Sequence, residues 1–300
     1  MILVIGGTGF LGGNLVQILI DNHKPLKCLV REKSYHNQFQ LGSVEVAYGD
    51  ITDSPSLEKA TESVDTVVHC VGILQEKLPH ITHQKIVIEG TENLVKACLK
   101  NHVKKIIYIS GLGTHENAQS LYHQAKYKAE QAIIKSGLEY VIFRPSVLIG
   151  KEDDFLNQFY TVIRFLPFFP VIGDGKYKMQ PLNVHDLVSC ILQTLENETI
   201  KNEIIELGGP EQLEFKDIMK IFLKACGTWR PFIHIPLSVI QFQIKFLEKL
   251  PKPFLITRDQ LLMLKTNNIC DNQKLHKLFH VNLTPLSEGL KEYEWYKPTF

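Results

Sequence analysis

The 300-residue chain contains no run of 18 apolar residues, so no membrane-spanning helix is expected. It carries no surplus of either charge: 33 Lys and Arg stand against 32 Asp and Glu, which leaves no global field to gather nucleic acid or an anionic membrane. Nucleic acid is therefore not expected as a partner. The six cysteines (Cys28, Cys70, Cys98, Cys190, Cys226 and Cys270) form no CxxC pair and no zinc-like spacing, and they read as reduced thiols in a cytoplasmic setting. His80 and His83 lie three apart with no second Cys/His pair or nearby acid, so no metal is expected. No charged leader precedes the first apolar segment, and no internal repeat or low-complexity stretch appears.

What is present begins at once. Met1 to Ile5 reads as a short buried strand that runs into Gly6-Gly7-Thr8-Gly9-Phe10-Leu11-Gly12. Glycines three positions apart, at 6, 9 and 12, allow a tight turn, a close approach to a pyrophosphate and packing of the next helix on the strand. A helix from about Phe10 to Asn22 would aim its unpaired N–H groups and its positive dipole end at the phosphates. The spacing is GxxGxxG rather than the GxGxxG of most dinucleotide folds, and a plain strand-to-helix corner is the alternative.

Apolar segments at Leu26 to Val30, Val44 to Tyr48, Asp65 to Cys70, Lys105 to Ser110 and Tyr140 to Phe143 alternate with helical patterns at Ile81 to Asn101 and Leu121 to Ser136. Such alternation implies βαβ units and a doubly wound parallel sheet of the α/β class. After Gly150 the texture turns aromatic and proline-rich. The dinucleotide-binding domain is accordingly placed at 1–150, with 180–197 returning to it, and 151–300 as a smaller α/β lobe covering the cofactor cleft. One more strand, Glu203 to Leu207, and helices at Phe215 to Cys226, Leu237 to Leu250, Arg258 to Lys265 and Leu286 to Tyr296 are assigned to that later part.

At the end of the second strand, a dinucleotide fold places an acid for the NAD ribose or a base for the NADP phosphate. Here the residues are Arg31-Glu32-Lys33. Arg31 could pair bidentately with a phosphate and Lys33 would add charge, so NADP(H) is preferred over NAD(H). Glu32 keeps NAD(H) open, as does a solvated turn of alternating charges. Tyr122 and Lys126 form YxxxK on one helix face; Tyr293 and Lys297 repeat the spacing near the C-terminus, where chance is the simpler reading. Asp53 and Asp186 read as helix caps. The apolar stretch Phe232 to Ile256, with Lys245, Lys249 and Lys252, could pack the lobe, wall a substrate cleft, touch a membrane surface or dock a partner.

Taken in order, GGTGFLG, Gly49-Asp50-Ile51-Thr52-Asp53, His69-Cys70-Val71-Gly72, YxxxK, Phe143-Arg144-Pro145-Ser146 and Gln180-Pro181-Leu182-Asn183-Val184-His185-Asp186 resemble the extended or atypical branch of the short-chain dehydrogenase/reductase superfamily. The likeness is greatest to the subfamily containing the NAD(P)H-binding accessory subunit of mitochondrial complex I and its bacterial relatives. The resemblance implies a Rossmann fold of the extended short-chain dehydrogenase type with a smaller C-terminal lobe. It further implies that Asp50 meets the adenine amino group, that Ile51 packs on the ring, and that Cys70, Val71, Gly72, Pro145 and Ser146 line the cofactor. Cys70 also reads, on its own, as a small buried residue. Lys126 would hold the nicotinamide ribose and lower the pKa of Tyr122, which would exchange a proton with substrate.

Catalytically competent relatives commonly carry a second hydroxyl where this chain has Gly111, leaving Ser110 or Ser120 to substitute. Two functions follow: a dinucleotide-binding protein with little turnover, and an active NADP(H)-dependent reductase, dehydrogenase or epimerase acting on a small apolar molecule. A respiratory-chain or membrane-surface partner, and peripheral attachment of an otherwise cytoplasmic protein, fit the first.

Overall fold

A computed structural model describes residues 1–31, 44–240, 257–263 and 266–297. Seven strands form one sheet: β1 (Ile2–Ile5), β2 (Leu26–Val30), β3 (Glu45–Tyr48), β4 (Thr66–His69), β5 (Lys105–Ile109), β6 (Glu139–Pro145) and an edge strand, Glu203–Leu207. Their spatial order is edge strand, β6, β5, β4, β1, β2, β3. The pairs β1–β2, β1–β4, β2–β3, β4–β5 and β5–β6 are all parallel. Every residue of β2 and β5 is buried, as a parallel sheet covered on both faces requires.

The chain order reverses between β1 and β4, so the carboxyl ends of these two strands flank the crevice where a doubly wound sheet takes its ligand. Helices α1 (Phe10–Asp21), α2 (Ser54–Ala60), α3 (Gly90–Lys100) and α4 (Leu121–Ile134) make the crossovers. The core beneath α2, α3 and α4 gathers Leu3, Ile5, Leu57, Val67, Leu94 and Ile106.

Two compact units emerge: Met1–Pro145 with Leu187–Glu206 and Asn272–Val281, and Ser146–Asp186 with Leu207–Asp271 and Asn282–Phe300. The second unit carries α5 (Asp154–Phe165) and α6 (Phe215–Ala225). Its core is aromatic, with Phe169, Phe215, Phe222, Tyr293 and Trp295 buried together.

Several expectations change. Glu203–Leu207, assigned to the later part of the chain, hydrogen-bonds beside β6: Asn202 N–H donates to the Tyr140 carbonyl at 2.6 Å, and Ser146 N–H donates to the Leu207 carbonyl at 2.8 Å. The expected helix Ile81 to Asn101 divides into a π-helical segment, His83–Glu89, capped by the Thr82 hydroxyl, and α3. Leu286 to Tyr296 is no continuous helix; it comprises Leu286–Gly289 and a 3-10 turn Leu290–Glu292, after which Tyr293 is extended. Tyr293 and Trp295 are both buried, and Tyr296 N–H donates to the Tyr293 carbonyl at 3.0 Å to close a turn. Tyr293 therefore shares no helix face with Lys297, and its hydroxyl binds the Asp153 carboxylate and accepts from Gly150 N–H. Asp186 lies inside the first turn of Val184–Glu196 and accepts from Thr284 N–H and Oγ1 at 2.8 and 2.9 Å, a tie between segments rather than a cap. Asp53 does cap α2, accepting from Ser56 N–H. Most of Leu237 to Leu250, together with Glu32, Lys33, Lys245, Lys249 and Lys252, lies outside the described residues. None of the described helices is long and apolar enough to cross a membrane.

Candidate functional site

The turn after β1 is built so that only backbone fills it. Gly6 takes φ +88°, and a Cβ there would stand 3.1 Å from Val71 Cγ2. At Gly12 a Cβ would fall 2.1 Å from the Gly6 carbonyl oxygen and 2.7 Å from its carbon. Helix α1 can thus start directly on the turn only because residue 12 has no side chain. Gly9 precedes α1 in extended conformation with no side-chain cap, and no acid occupies the first turn. The first-turn N–H groups have no intrahelical acceptor and point with the positive dipole end toward the crevice. This cradle fits a pyrophosphate. Thr8 and Phe10 are partly exposed at its lip, while Leu11 is 8% exposed and anchors the helix in the core.

Arg31 stands exposed immediately beyond β2. Asp50, beyond β3, accepts from Thr52 N–H at 2.9 Å and Thr52 Oγ1 at 2.8 Å through Oδ1, a local turn that fixes the carboxylate. Ile51 is 5% exposed and packs in the main core, where a Cβ on Gly90 would touch it at 3.0 Å. Only a sliver of Ile51 is left to meet a ring.

Beyond β4, burial pushes the Cys70 thiol up to about 12, so it stays protonated and acts as a small packing group. Val71 N–H donates to His69 Nδ1 at 3.3 Å, and His69 Nε2 lies 3.0 Å from Thr91 Oγ1. Burial holds His69 near a pKa of 3, so the ring is neutral; with Nδ1 accepting, Nε2 carries the proton and donates to Thr91. His69 thereby fixes the Val71 backbone against Gly6. No sequence pattern marks this role, because a histidine within an apolar strand looks like any partly polar core residue.

Lys126 and Tyr122 come together on α4. Lys126 is 3% exposed; its Nζ donates to the Ile109 carbonyl at 2.7 Å and sits 4.7 Å above the Tyr108 ring and 6.0 Å from that of Tyr122. Gly72 lies against it, since a Cβ there would be 2.9 Å from Nζ. Burial lowers the Lys126 pKa to about 8, partly opposed by Glu130 and Cys70. Glu130, fully buried, is held by Arg144 through Nε at 2.9 Å and Nη2 at 2.7 Å, a bidentate pair that locks α4 to β6. The implied lowering of the Tyr122 pKa is absent: burial pushes it up to about 12.

Both alternative hydroxyls have partners of their own. Ser110 Oγ donates to Thr114 Oγ1 at 3.4 Å, and Thr114 Oγ1 lies 3.3 Å from His123 Nδ1. Ser120 caps α4, accepting from His123 N–H at 3.1 Å. Gly111 itself faces Tyr122: a Cβ there would stand 3.2 Å from the Tyr122 hydroxyl. Pro145 is buried and its carbonyl accepts from Leu112 N–H at 2.8 Å. Ser146 groups with the second unit, and its Oγ bonds Asn268 Oδ1 at 2.5 Å. No cluster of His, Cys, Asp or Glu able to hold a metal occurs among the described residues.

A parallel sheet in this order, with a glycine turn at its switch point, is the architecture of dinucleotide-binding proteins. The chain belongs to the NAD dependent epimerase/dehydratase family, whose model matches residues 2–208. It is 26% identical over 303 residues to NADH dehydrogenase (ubiquinone) 1 alpha subcomplex subunit 9, mitochondrial, of Arabidopsis thaliana, which covers 94% of this chain and 73% of that protein. Divinyl chlorophyllide a 8-vinyl-reductase, chloroplastic, of the same plant is 25% identical over 276 residues, covering 84% of this chain and 63% of that one. Among solved structures, UDP-glucuronic acid 4-epimerase from Bacillus cereus in complex with UDP-glucuronic acid and NAD superposes with a TM-score of 0.75 at 20% identity, covering 98% and 97% of the two chains, which is a likeness of fold. These relatives agree with the atypical short-chain dehydrogenase/reductase resemblance of the motifs.

Proposed function

We propose that the chain binds a nicotinamide dinucleotide along the carboxyl ends of β1, β2 and β4, with NADP(H) preferred, and turns it over slowly or not at all. The observation that carries this reading is Gly111. A hydroxyl side chain at 111 would sit within reach of the Tyr122 hydroxyl. Its absence removes a polar group that would orient a substrate oxygen beside the acid/base, and Tyr122 is left with a pKa near 12, poorly matched to proton transfer at neutral pH. The first-turn N–H groups of α1 would hold the pyrophosphate, Arg31 the adenosine phosphate, and Lys126 the nicotinamide ribose. A bound nicotinamide would supply hydride chemistry. The accessory subunit named in mitochondrial NADH dehydrogenase is a relative whose role fits such binding, and it makes a respiratory-chain partner part of this reading.

A second reading, an active reductase, dehydrogenase or epimerase on a small molecule, draws on the intact Tyr122 and Lys126 pair and on the reductase named among the relatives. Gly111→Ser separates the two. Only the far end of Tyr122 must give to admit the new side chain. If the missing hydroxyl limits turnover, Gly111→Ser raises NADPH-dependent reduction across a panel of aldehydes, ketones and quinones at least roughly tenfold, and adding Tyr122→Phe removes the gain. A wild type already fast on one of these compounds, and slowed by Gly111→Ser, would establish the second reading.

Cofactor preference has its own test. Arg31→Ala should weaken NADPH by roughly tenfold or more, the loss of a charge-assisted contact, while NADH changes by less than about twofold. Equal losses for the two in calorimetric titrations would remove Arg31 from the phosphate site.

A further inference from the structure

On the second unit, Phe165 and Trp229 are each 77% exposed, far more than aromatic rings usually are. The segments that carry them are tied together. Arg230 reaches from the Trp229 loop to the last turn of α5, donating through Nε to the Leu166 carbonyl at 3.2 Å and through Nη2 to the Ile163 carbonyl at 3.4 Å. The strand that follows, Phe232–Ile235, pairs in parallel with Phe169–Ile172 and turns Phe232 toward the aromatic core, leaving Ile233 46% exposed on the other side. Leu237 and Val239, further along the chain, are 39% and 43% exposed.

Although the whole chain is balanced, the stretches 155–173 and 218–240 contain no Asp or Glu. Lys220 is paired with Asp217 at 2.7 Å, which leaves Arg164, Lys224 and Arg230 as the cations of these stretches. Arg164 directly precedes Phe165, and Lys224 lies one turn before the Trp229 loop; both are exposed.

Aromatic rings standing proud of a surface beside Arg164, Lys224 and Arg230 match the boundary between acyl chains and anionic headgroups, where rings bury and cations meet phosphate. We infer that this face, centred on Phe165 and Trp229, is a peripheral docking surface for an anionic lipid bilayer. It acts independently of the dinucleotide site, and the two stand or fall separately.

The chain has two tryptophans, and the other, Trp295, is 7% exposed and packed in the core, so a change in emission on vesicle binding reports Trp229. The experiment mixes the full chain with phosphatidylcholine vesicles and with mixed phosphatidylcholine/phosphatidylglycerol vesicles, and follows co-sedimentation and Trp emission. Anionic vesicles should pellet the protein and shift the emission to the blue, with binding at least roughly tenfold weaker for neutral vesicles or at about 0.5 M salt. Phe165→Ser with Trp229→Ser should abolish sedimentation, and Arg164→Glu with Lys224→Glu should weaken it, both while NADPH titration stays unchanged. Failure to pellet with anionic vesicles overturns the inference. So does a blue shift that depends on protein concentration without vesicles, which would mark this face as a contact between copies, or binding indifferent to both double variants.

Discussion

Gly12→Ala is expected to abolish dinucleotide binding. The methyl carbon would be placed 2.1 Å from the Gly6 carbonyl oxygen and 2.9 Å from Gly7 Cα, against backbone on both sides, so no side-chain rotation relieves it. Helix α1 must retreat from the turn, and its first-turn N–H groups withdraw together from the phosphate position. Losing several such hydrogen bonds to a charged group amounts to about 3 kcal/mol or more, a rise of at least a hundredfold in Kd. The strain also destabilises the fold, on the order of 1 to 3 kcal/mol for an overpacked contact. Gly13→Ala is the matched control: its Cβ would lie 3.7 Å from the Gly7 carbonyl, an ordinary contact. In a helix interior that change stabilises by about 1 kcal/mol, and NADPH affinity should stay within about threefold. If Gly12→Ala binds NADPH as tightly as wild type does, the pyrophosphate lies elsewhere.

Lys126→Met is expected to move stability and binding in opposite directions. A lysine whose folded pKa is lowered from 10.5 to about 8 carries a burial cost whenever it is protonated. Between pH 8 and 10.5 the unfolded chain keeps a proton that the folded chain releases, so stability rises with pH across that window; below pH 8 the full cost, on the order of 3 kcal/mol, is present. Methionine fills nearly the same volume without charge, although it leaves the Ile109 carbonyl without this donor, which offsets roughly 1 to 2 kcal/mol. The net expectation for dinucleotide-free protein at pH 7 is a Tm raised by roughly 2 to 4 °C, an advantage that shrinks toward pH 10. If Lys126 holds the nicotinamide ribose as proposed, dinucleotide affinity should fall at least roughly tenfold with the loss of a charge-assisted hydrogen bond. A lower Tm with unchanged affinity would make Lys126 a structural residue of α4 and remove it from the cofactor site.

The central strands are legible in the sequence because Leu26–Val30 and Lys105–Ile109 are buried throughout and so read as continuous apolar runs. The expected bounds Leu26 to Val30 and Glu203 to Leu207 match the observed strands. Where one element serves two environments, pattern misled. Glu203–Leu207 follows a long excursion in sequence yet returns to the first sheet, and nothing local records which sheet a strand joins. Leu286 to Tyr296 has helical spacing, but burying Tyr293 and Trp295 against α5 and α6 outweighs propensity, as tertiary packing commonly does. At the site, the glycine spacing and YxxxK were visible as motifs. That Gly111 stands opposite Tyr122, that Ser120 is committed to a cap and that His69 steadies Val71 are contacts between residues 2 to 22 positions apart in sequence, fixed only once β4, β5 and α4 are assembled.

The most direct measurement is calorimetric titration of purified, nucleotide-stripped protein with NADPH and NADH side by side. One dinucleotide per chain, with NADPH the tighter and binding lost in Gly12→Ala, is the expected result. Binding of neither nucleotide would contradict the account and leave the glycine turn as a strand-to-helix corner.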